Sequence, residues 1–360
     1  MKLLALKEIT KNEKRVSITP DIVDKYISLG IEVLIEESAG KNIGIDDQIY
    51  KNKGAKIIKD INKIIPQIDI LIAVQNTNID LSKAKENLIF IALFNPSFQI
   101  DIIKKLKNDK VKAFAMELLP RITRAQSMDV LSSQSNLAGY RAVIDAVYEM
   151  QKAVPMLMTA AGTISAAKFM ILGAGVAGLQ AIATAKRLGG IVCAFDVRTS
   201  AKEQVESLGA KFIEVKSDEK IDGVYAKEMS EEYKKQQQEL LAKTIEKQDI
   251  VITTALIPGK KAPILITKEM VKSMTAGSII IDLAAVNGGN CEFTKVDEIV
   301  ESNGVKIIGY SNYPSRIAED CSKLYARNIF NFIDFLIDKK SNKIVIDYED
   351  EIVKSSLISN

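Results

Sequence analysis

The segment Lys168-Phe169-Met170-Ile171-Leu172 runs directly into Gly173-Ala174-Gly175-Val176-Ala177-Gly178 and then into an apolar helical stretch. A G-x-G-x-x-G run in that setting is the strand–turn–helix of a dinucleotide-binding unit; without the strand and helix it would mean little. The first glycine allows the tight turn, the second lets main chain approach a pyrophosphate, and the third lets helix pack on strand. The amide of Val176 then lies at a helix N-terminus, where the dipole favours phosphate. Asp196 closes the next strand, 23 residues after Gly173. A carboxylate there accepts from both hydroxyls of the adenosine ribose and repels a 2′-phosphate. It favours NAD(H) over NADP(H), against the opposing tendency of Arg198, which can accommodate such a phosphate.

The same alternation of strand and helix extends along the chain. Strands are expected at 2–7, 31–36, 68–74, 88–94 and 111–116, with helices opening at Thr19-Pro20-Asp21 (Thr19 as N-cap), near Asp47 and near Phe98. From 117 to 135 the apolar rhythm stops, and a long helix follows over about 131–152. A second series then reads strand 169–172, helix 176–188, strand 191–195, helix 201–208 and strand 211–215. Later strands are expected at 249–254, 278–283 and 305–310. Tyr325, Ile329, Phe332, Ile333 and Leu336 mark one face of a final helix, and 343–347 reads as a short strand. The expected fold is α/β: two Rossmann-like domains with parallel sheets, linked by long helices, with a cofactor cleft between them. The first domain would be 1–130 completed by 320–360, the second 131–319.

The charged stretch 217–247 suits either a solvated helix face or a flap over a ligand, and Gly223-Val224-Tyr225 is the portion assigned to a flap. Ligands of open parallel sheets sit beyond the carboxyl ends of the strands. That places Thr254–Gly259 near the same dinucleotide, with Leu256 either an adenine contact or ordinary core. Asn287-Gly288-Gly289-Asn290 is positioned to line the nicotinamide side.

Composition narrows the chemistry. The 360 residues carry a net charge of only +3, too small an excess for a nucleic-acid partner. Cys193, Cys291 and Cys321 stand too far apart for metal-ligand spacing. The apolar run 169–185 contains three glycines and falls short of the roughly 20 residues of a spanning helix, so a cytoplasmic chain without its own anchor is expected. There is no histidine, which removes the commonest general base and the commonest metal ligand together.

Five segments resemble the alanine dehydrogenase/pyridine nucleotide transhydrogenase family over nearly the whole chain. They are EKRVSITPDIV at 13–23, PRITRAQSMDVLSSQSNLAGYRA at 120–142, ILGAGVAGLQAI at 171–182, TTALIPGKKAP at 253–263 and DLAAVNGGNCEF at 282–293. The likeness is to the NAD(H)-binding subunit of the proton-translocating transhydrogenase branch. It implies direct, Si/Re-specific hydride exchange between NADH on this chain and NADP(H) on a partner subunit. It also implies a homodimer, membrane-spanning partner subunits, and a peripheral place on the inner face of the plasma membrane.

Carried onto this sequence, the catalytic loop residues fall on Arg121, Gln126, Asp129 and Ser132, with Ile122, Thr123 and Arg124 as further cofactor contacts. Gly173, Gly175, Val176, Gly178, Asp196, Val197 and Arg198 would hold the adenosine and pyrophosphate, and Leu256 the adenine. A mobile loop at 217–238 would add Val224, Tyr225 and Gln237; Val224 stands where a glycine is usual. The dehydrogenase branch requires a Lys where Gln75 stands and a His near Phe94-Asn95-Pro96. Alanine oxidation needs a positioned proton-transfer group, whereas transfer between two nicotinamide C4 atoms needs the rings close and water excluded. A free-standing alanine dehydrogenase-like enzyme is the alternative, and a non-catalytic NAD(H)-binding regulator is a further one.

Overall fold

Strand and helix alternate in the first 120 residues of the computed structural model, which describes residues 1–215, 231–257, 260–341 and 343–359. The chain divides into two units, Met1–Gln134 with Pro314–Asn360, and Ser135–Tyr313. The first unit opens with β1 (Lys2–Ala5), α1 (Pro20–Ser28), β2 (Glu32–Glu36), α2 (Asp47–Asn52), β3 (Lys56–Ile58) and α3 (Ile61–Ile64). It continues with β4 (Ile70–Ile72), β5 (Ile89–Ala92), α4 (Ile100–Asn108) and β6 (Lys112–Ala115). The six strands lie in the order β3-β2-β1-β4-β5-β6, all parallel. This is the doubly wound order, with its reversal between β1 and β4.

α5 (Val130–Glu149) leads into the second unit, which begins with an antiparallel hairpin, β7 (Leu157–Thr159) and β8 (Gly162–Ile164). Then come β9 (Lys168–Leu172), α6 (Val176–Arg187), β10 (Ile191–Phe195), α7 (Ala201–Ser207), β11 (Lys211–Phe212) and α8 (Glu231–Ile245). The unit closes with β12 (Ile250–Thr253), α9 (Lys268–Ser273), β13 (Ile279–Asp282), β14 (Ile299–Ser302) and β15 (Val305–Ile308). Its sheet runs β11-β10-β9-β12-β13-β15-β14, parallel except for the edge strand β14. The reversal here lies between β9 and β12.

The chain then returns to the first unit through α10 (Ala318–Leu336), the short antiparallel pair β16 (Ile337–Asp338) and β17 (Lys343–Ile344), and α11 (Glu351–Ser356). Side chains alternate across each sheet. Leu3, Val33, Ile35, Ile70 and Ile91 face α1 and the Tyr325–Leu336 stripe of α10, while Leu4, Leu34, Leu71 and Phe90 face Leu106 of α4. In the second unit Phe169, Ile171, Ile250 and Ile252 pack on Ala142 and Ala146 of α5, and Met170, Val251 and Ile280 on Leu241 and Ile245 of α8.

The expected cap of α1 is met in position but not in bonding. Thr19 stands at the N-cap of α1, but its side chain makes no capping bond, and its buried hydroxyl has no partner. Its main-chain carbonyl takes the amides of both Ile22 and Val23 instead. The hairpin β7–β8, the edge strand β14 and the strand β3 go beyond the strands expected from the sequence, and the tail strand is shorter than 343–347.

A buried polar group joins the middle of the first sheet. Glu8, just past β1, accepts the amides of Val74 (2.6 Å) and Gln75 (3.0 Å), just past β4. Arg15 and Glu13, both buried, form a forked pair, and Arg15 also donates to Gln134 at 2.8 Å. Burial pushes the Glu8 carboxyl up to about 7, with Glu13 adding to the rise, while the two amides and Arg15 oppose it. A carboxyl whose folded value lies above its unfolded one contributes stability that is complete below the unfolded value and lost as pH climbs through the folded one. From an ordinary value of 4.5 to about 7 the loss amounts to about 3 kcal/mol. The melting temperature is therefore expected to fall between pH 5 and pH 8. Glu8→Gln should flatten that slope in parallel thermal scans, and equal slopes would exonerate Glu8.

Candidate functional site: the glycine turn of the second unit

A parallel sheet with helices on both faces is open only at its ends, and the reversal of strand order leaves a crevice at the carboxyl edge. In the first unit that crevice is crossed by Glu8, whose carboxylate takes the amides beyond β4. In the second unit the turn after β9 lies at the reversal, beside the segment after β12. Gly173 adopts φ of +98°, a left-handed conformation that an L side chain rarely takes. A methyl group on Gly178 would lie 1.9 Å from the carbonyl oxygen of Gly173, so the third glycine is required by helix–strand contact. On Gly175 the same methyl would meet nothing within 4 Å. Gly175 is also the N-cap of α6, and supplies no side chain to the amides of the first turn. An uncapped helix start with open space before it has the chemistry of an anion site.

Asp196 directly follows β10, beside this turn. Its Oδ2 accepts the amide of Ala174 at 2.7 Å, and its Oδ1 accepts the amide of Arg198 at 2.8 Å. The Arg198 guanidinium forks onto both oxygens at 3.0 Å. Burial disfavours the charged carboxylate, but the bonds from Arg198 and the Ala174 amide outweigh it and hold the carboxyl below its ordinary value. The two residues whose cofactor preferences oppose each other in the sequence are thus partners. The Arg198 side chain is 34% exposed and that of Asp196 only 6%, so Arg198 is the solvent-facing partner of the pair. Val197 between them is half-buried, and Leu256 beyond β12 is 52% exposed. At that exposure Leu256 is not part of the core.

The remaining expected residues divide. Arg121 and Gln126 are exposed on a polar segment of the first unit, as is Thr123, with Ile122 half-buried. Arg124 reaches Asp350 at 3.0 Å, a surface pair of small energetic weight. Asp129 caps α5: its carboxylate accepts the Ser132 amide at 2.8 Å and the Ser132 hydroxyl at 2.5 Å. Gln237 is half-buried on α8. Val224 and Tyr225, with Pro258 and Gly259, lie outside the described residues. Asn290, expected to line the ligand side, is instead fully buried, because its side chain is consumed by main-chain bonds. Thr254 reads in the sequence as the end of the strand 249–254 and the start of the loop after it, and its hydroxyl donates to the Gly173 carbonyl at 3.0 Å. The signal available in the sequence is a hydroxyl placed immediately after an apolar strand.

Residues 4–138 match the model of the alanine dehydrogenase/PNT N-terminal domain, and residues 142–360 that of the alanine dehydrogenase/PNT C-terminal domain. The chain is 48% identical over 370 residues to the first portion of the divided NAD(P) transhydrogenase subunit alpha of Rhodospirillum rubrum, covering all of this chain and 96% of that protein. It is 48% identical over 366 residues to the protein of the same description from Rickettsia prowazekii, covering all of this chain and 94% of that one. A crystal structure of transhydrogenase from Sinorhizobium meliloti superposes with a TM-score of 0.90 at 45% identity, over 99% of this chain and 98% of that one.

The glycine geometry separates folding from ligand approach. Gly178→Ala forces a methyl onto a carbonyl oxygen and is expected to lower unfolding free energy by about 1–3 kcal/mol. Gly175→Ala, with open space around it, should stay within about 0.5 kcal/mol of the parent. Urea titrations of the two variants check this, and equal losses would show that the turn is not packed as described.

Proposed function

The chain belongs to the alanine dehydrogenase/PNT family, and on that premise we propose that it is the NAD(H)-binding subunit of a proton-translocating NAD(P) transhydrogenase. The observation that carries the dinucleotide side of this reading is the uncapped start of α6 with open space at Gly175 and Asp196 beside it. NADH supplies a hydride from its nicotinamide C4, and NADP⁺ on a partner subunit accepts it at C4, leaving NAD⁺ and NADPH. Two electrons and one hydrogen nucleus move together, so the reacting carbons exchange no proton with the protein. A chain with no histidine suits that chemistry better than oxidation of an amino acid, which requires proton transfer.

In this reading the first-turn amides of α6, Val176 foremost, bind the pyrophosphate, and Gly173, Gly175 and Gly178 let main chain approach it. Asp196 accepts from the adenosine ribose while Arg198 swings aside, and Leu256 covers the adenine. Arg121, Gln126, Asp129 and Ser132, with the neighbouring Ile122, Thr123 and Arg124, orient the nicotinamide and its ribose for transfer from one face, in the Si/Re sense. Tyr225 and Gln237 belong to a segment that covers bound nucleotide. No described helix is long and apolar enough to cross a membrane. In this reading proton movement falls to partner subunits, and this chain is a peripheral homodimer on the inner face of the plasma membrane.

Mixing the purified chain with an NADP(H)-binding domain of a transhydrogenase tests the reading. NADH-dependent reduction of bound NADP⁺ is expected only in the mixture; NADH formation from NAD⁺ and L-alanine by this chain alone would replace it with the dehydrogenase alternative. By calorimetry Asp196→Ala should weaken NADH binding about tenfold to a hundredfold, the worth of hydrogen bonds to a charged group. Arg121→Ala should slow hydride transfer, read by stopped flow, more than it weakens NADH binding.

A further inference from the structure

Three loops at the carboxyl edge of the second sheet are tied together by two fully buried polar side chains and one hydroxyl. Asp282, at the end of β13, is fully buried and accepts five neutral donors. They are the Thr253 hydroxyl (3.0 Å), the amides of Ala284 (2.9 Å), Asn290 (2.7 Å) and Cys291 (3.1 Å), and the Thr294 hydroxyl (2.6 Å). Asn290, also fully buried, answers every polar group it has. Its Oδ1 accepts the Ala255 amide at 3.1 Å, and its Nδ2 donates to the carbonyls of Ala255 (2.9 Å) and Pro263 (2.8 Å). Its own carbonyl accepts the amides of Leu265 and Ile266. One side chain thus bonds both Ala255, next to Leu256, and Pro263. Thr254 completes the path, its amide on the Leu172 carbonyl at 2.8 Å and its hydroxyl on the Gly173 carbonyl at 3.0 Å.

We propose that Asp282, Asn290 and Thr254 are positioning residues for the dinucleotide: a hydrogen-bond relay that sets the Leu256 segment against the glycine turn before any ligand binds. The argument is one of burial and saturation. A buried amide or carboxylate left unpaired costs far more than the bond is worth when made. Each side chain therefore admits one arrangement of its loops, and the loops are held in that arrangement. A packed polar network of this kind leaves less ordering to be done on binding. None of the three needs to touch the nucleotide. Asn290 has no polar group left for it, and Asp282 is shielded by its own five donors.

The inference rests on NADH binding at the glycine turn, and the test separates the two. Thr254→Val keeps the shape of the side chain and removes only the hydroxyl, whereas Thr254→Ser keeps the hydroxyl. NADH affinity by fluorescence titration is expected to fall about tenfold in Thr254→Val, the scale of one hydrogen bond, and to recover in Thr254→Ser. Asn290→Ser should weaken NADH and 5′-AMP by the same factor, since the misplaced segment meets the adenosine end. Melting temperatures identify any variant that has not folded, and the Thr254 pair then decides. Parental affinity in both Thr254→Val and Asn290→Ser, with the parent protein binding NADH, would overturn the relay alone. A parent protein that binds no NADH would overturn the dinucleotide reading and the relay with it.

Discussion

A parallel strand cannot return to its neighbour without a crossover, and the crossovers cover both faces of the sheet. Everything else about this molecule follows from that constraint. With both faces buried, the central strands read as runs of Ile, Val, Leu and Phe, and the loops lie at their ends. The carboxyl ends gather the loops in which polar residues appear: Glu8, Val74–Gln75 and Glu117 in the first unit, Gly173–Gly175, Thr254–Leu256 and Asn287–Asn290 in the second.

Two sheets of nearly the same winding have taken opposite courses at the same topological point. In the first, the reversal between β1 and β4 is bridged by the protein's own carboxylate. Glu8 takes the amides that a ligand's anion would take, and Arg15 beside it is neutralised by Glu13 and held by Gln134. In the second, the reversal between β9 and β12 carries glycines, an uncapped helix start and, among the described residues, no acid bridging the two strand ends. At the first crevice the amides are already taken by Glu8, and at the second the first-turn amides of α6 carry no side-chain cap.

The large elements are legible in the sequence because they follow periodicity. The β9–α6–β10 unit, the helix beginning at Pro20 and the apolar stripe of α10 lie within a few residues of their expected places. What escapes are elements whose pattern is set by neighbours. The strand β3 is short and half-exposed, with little period to read. The pair β7–β8 is exposed along its whole length, so it lacks the alternation that marks a strand packed on one side. The edge strand β14 runs antiparallel, a direction that no local signal encodes.

Residue chemistry and spacing alone determined that an apolar strand meets a glycine turn and a helix, that an acid closes the following strand, and that no histidine is present to move protons. Those are local properties, fixed by covalent order and side-chain type. Only the tertiary structure decided what each polar side chain is bonded to. It gave the amides past β4 to Glu8, placed Gln134 against Arg15, and enclosed Asn290 among main-chain groups. A hydrogen bond depends on which distant segments share a few ångströms of space once the apolar faces have packed, and that proximity is written in no single stretch of the chain.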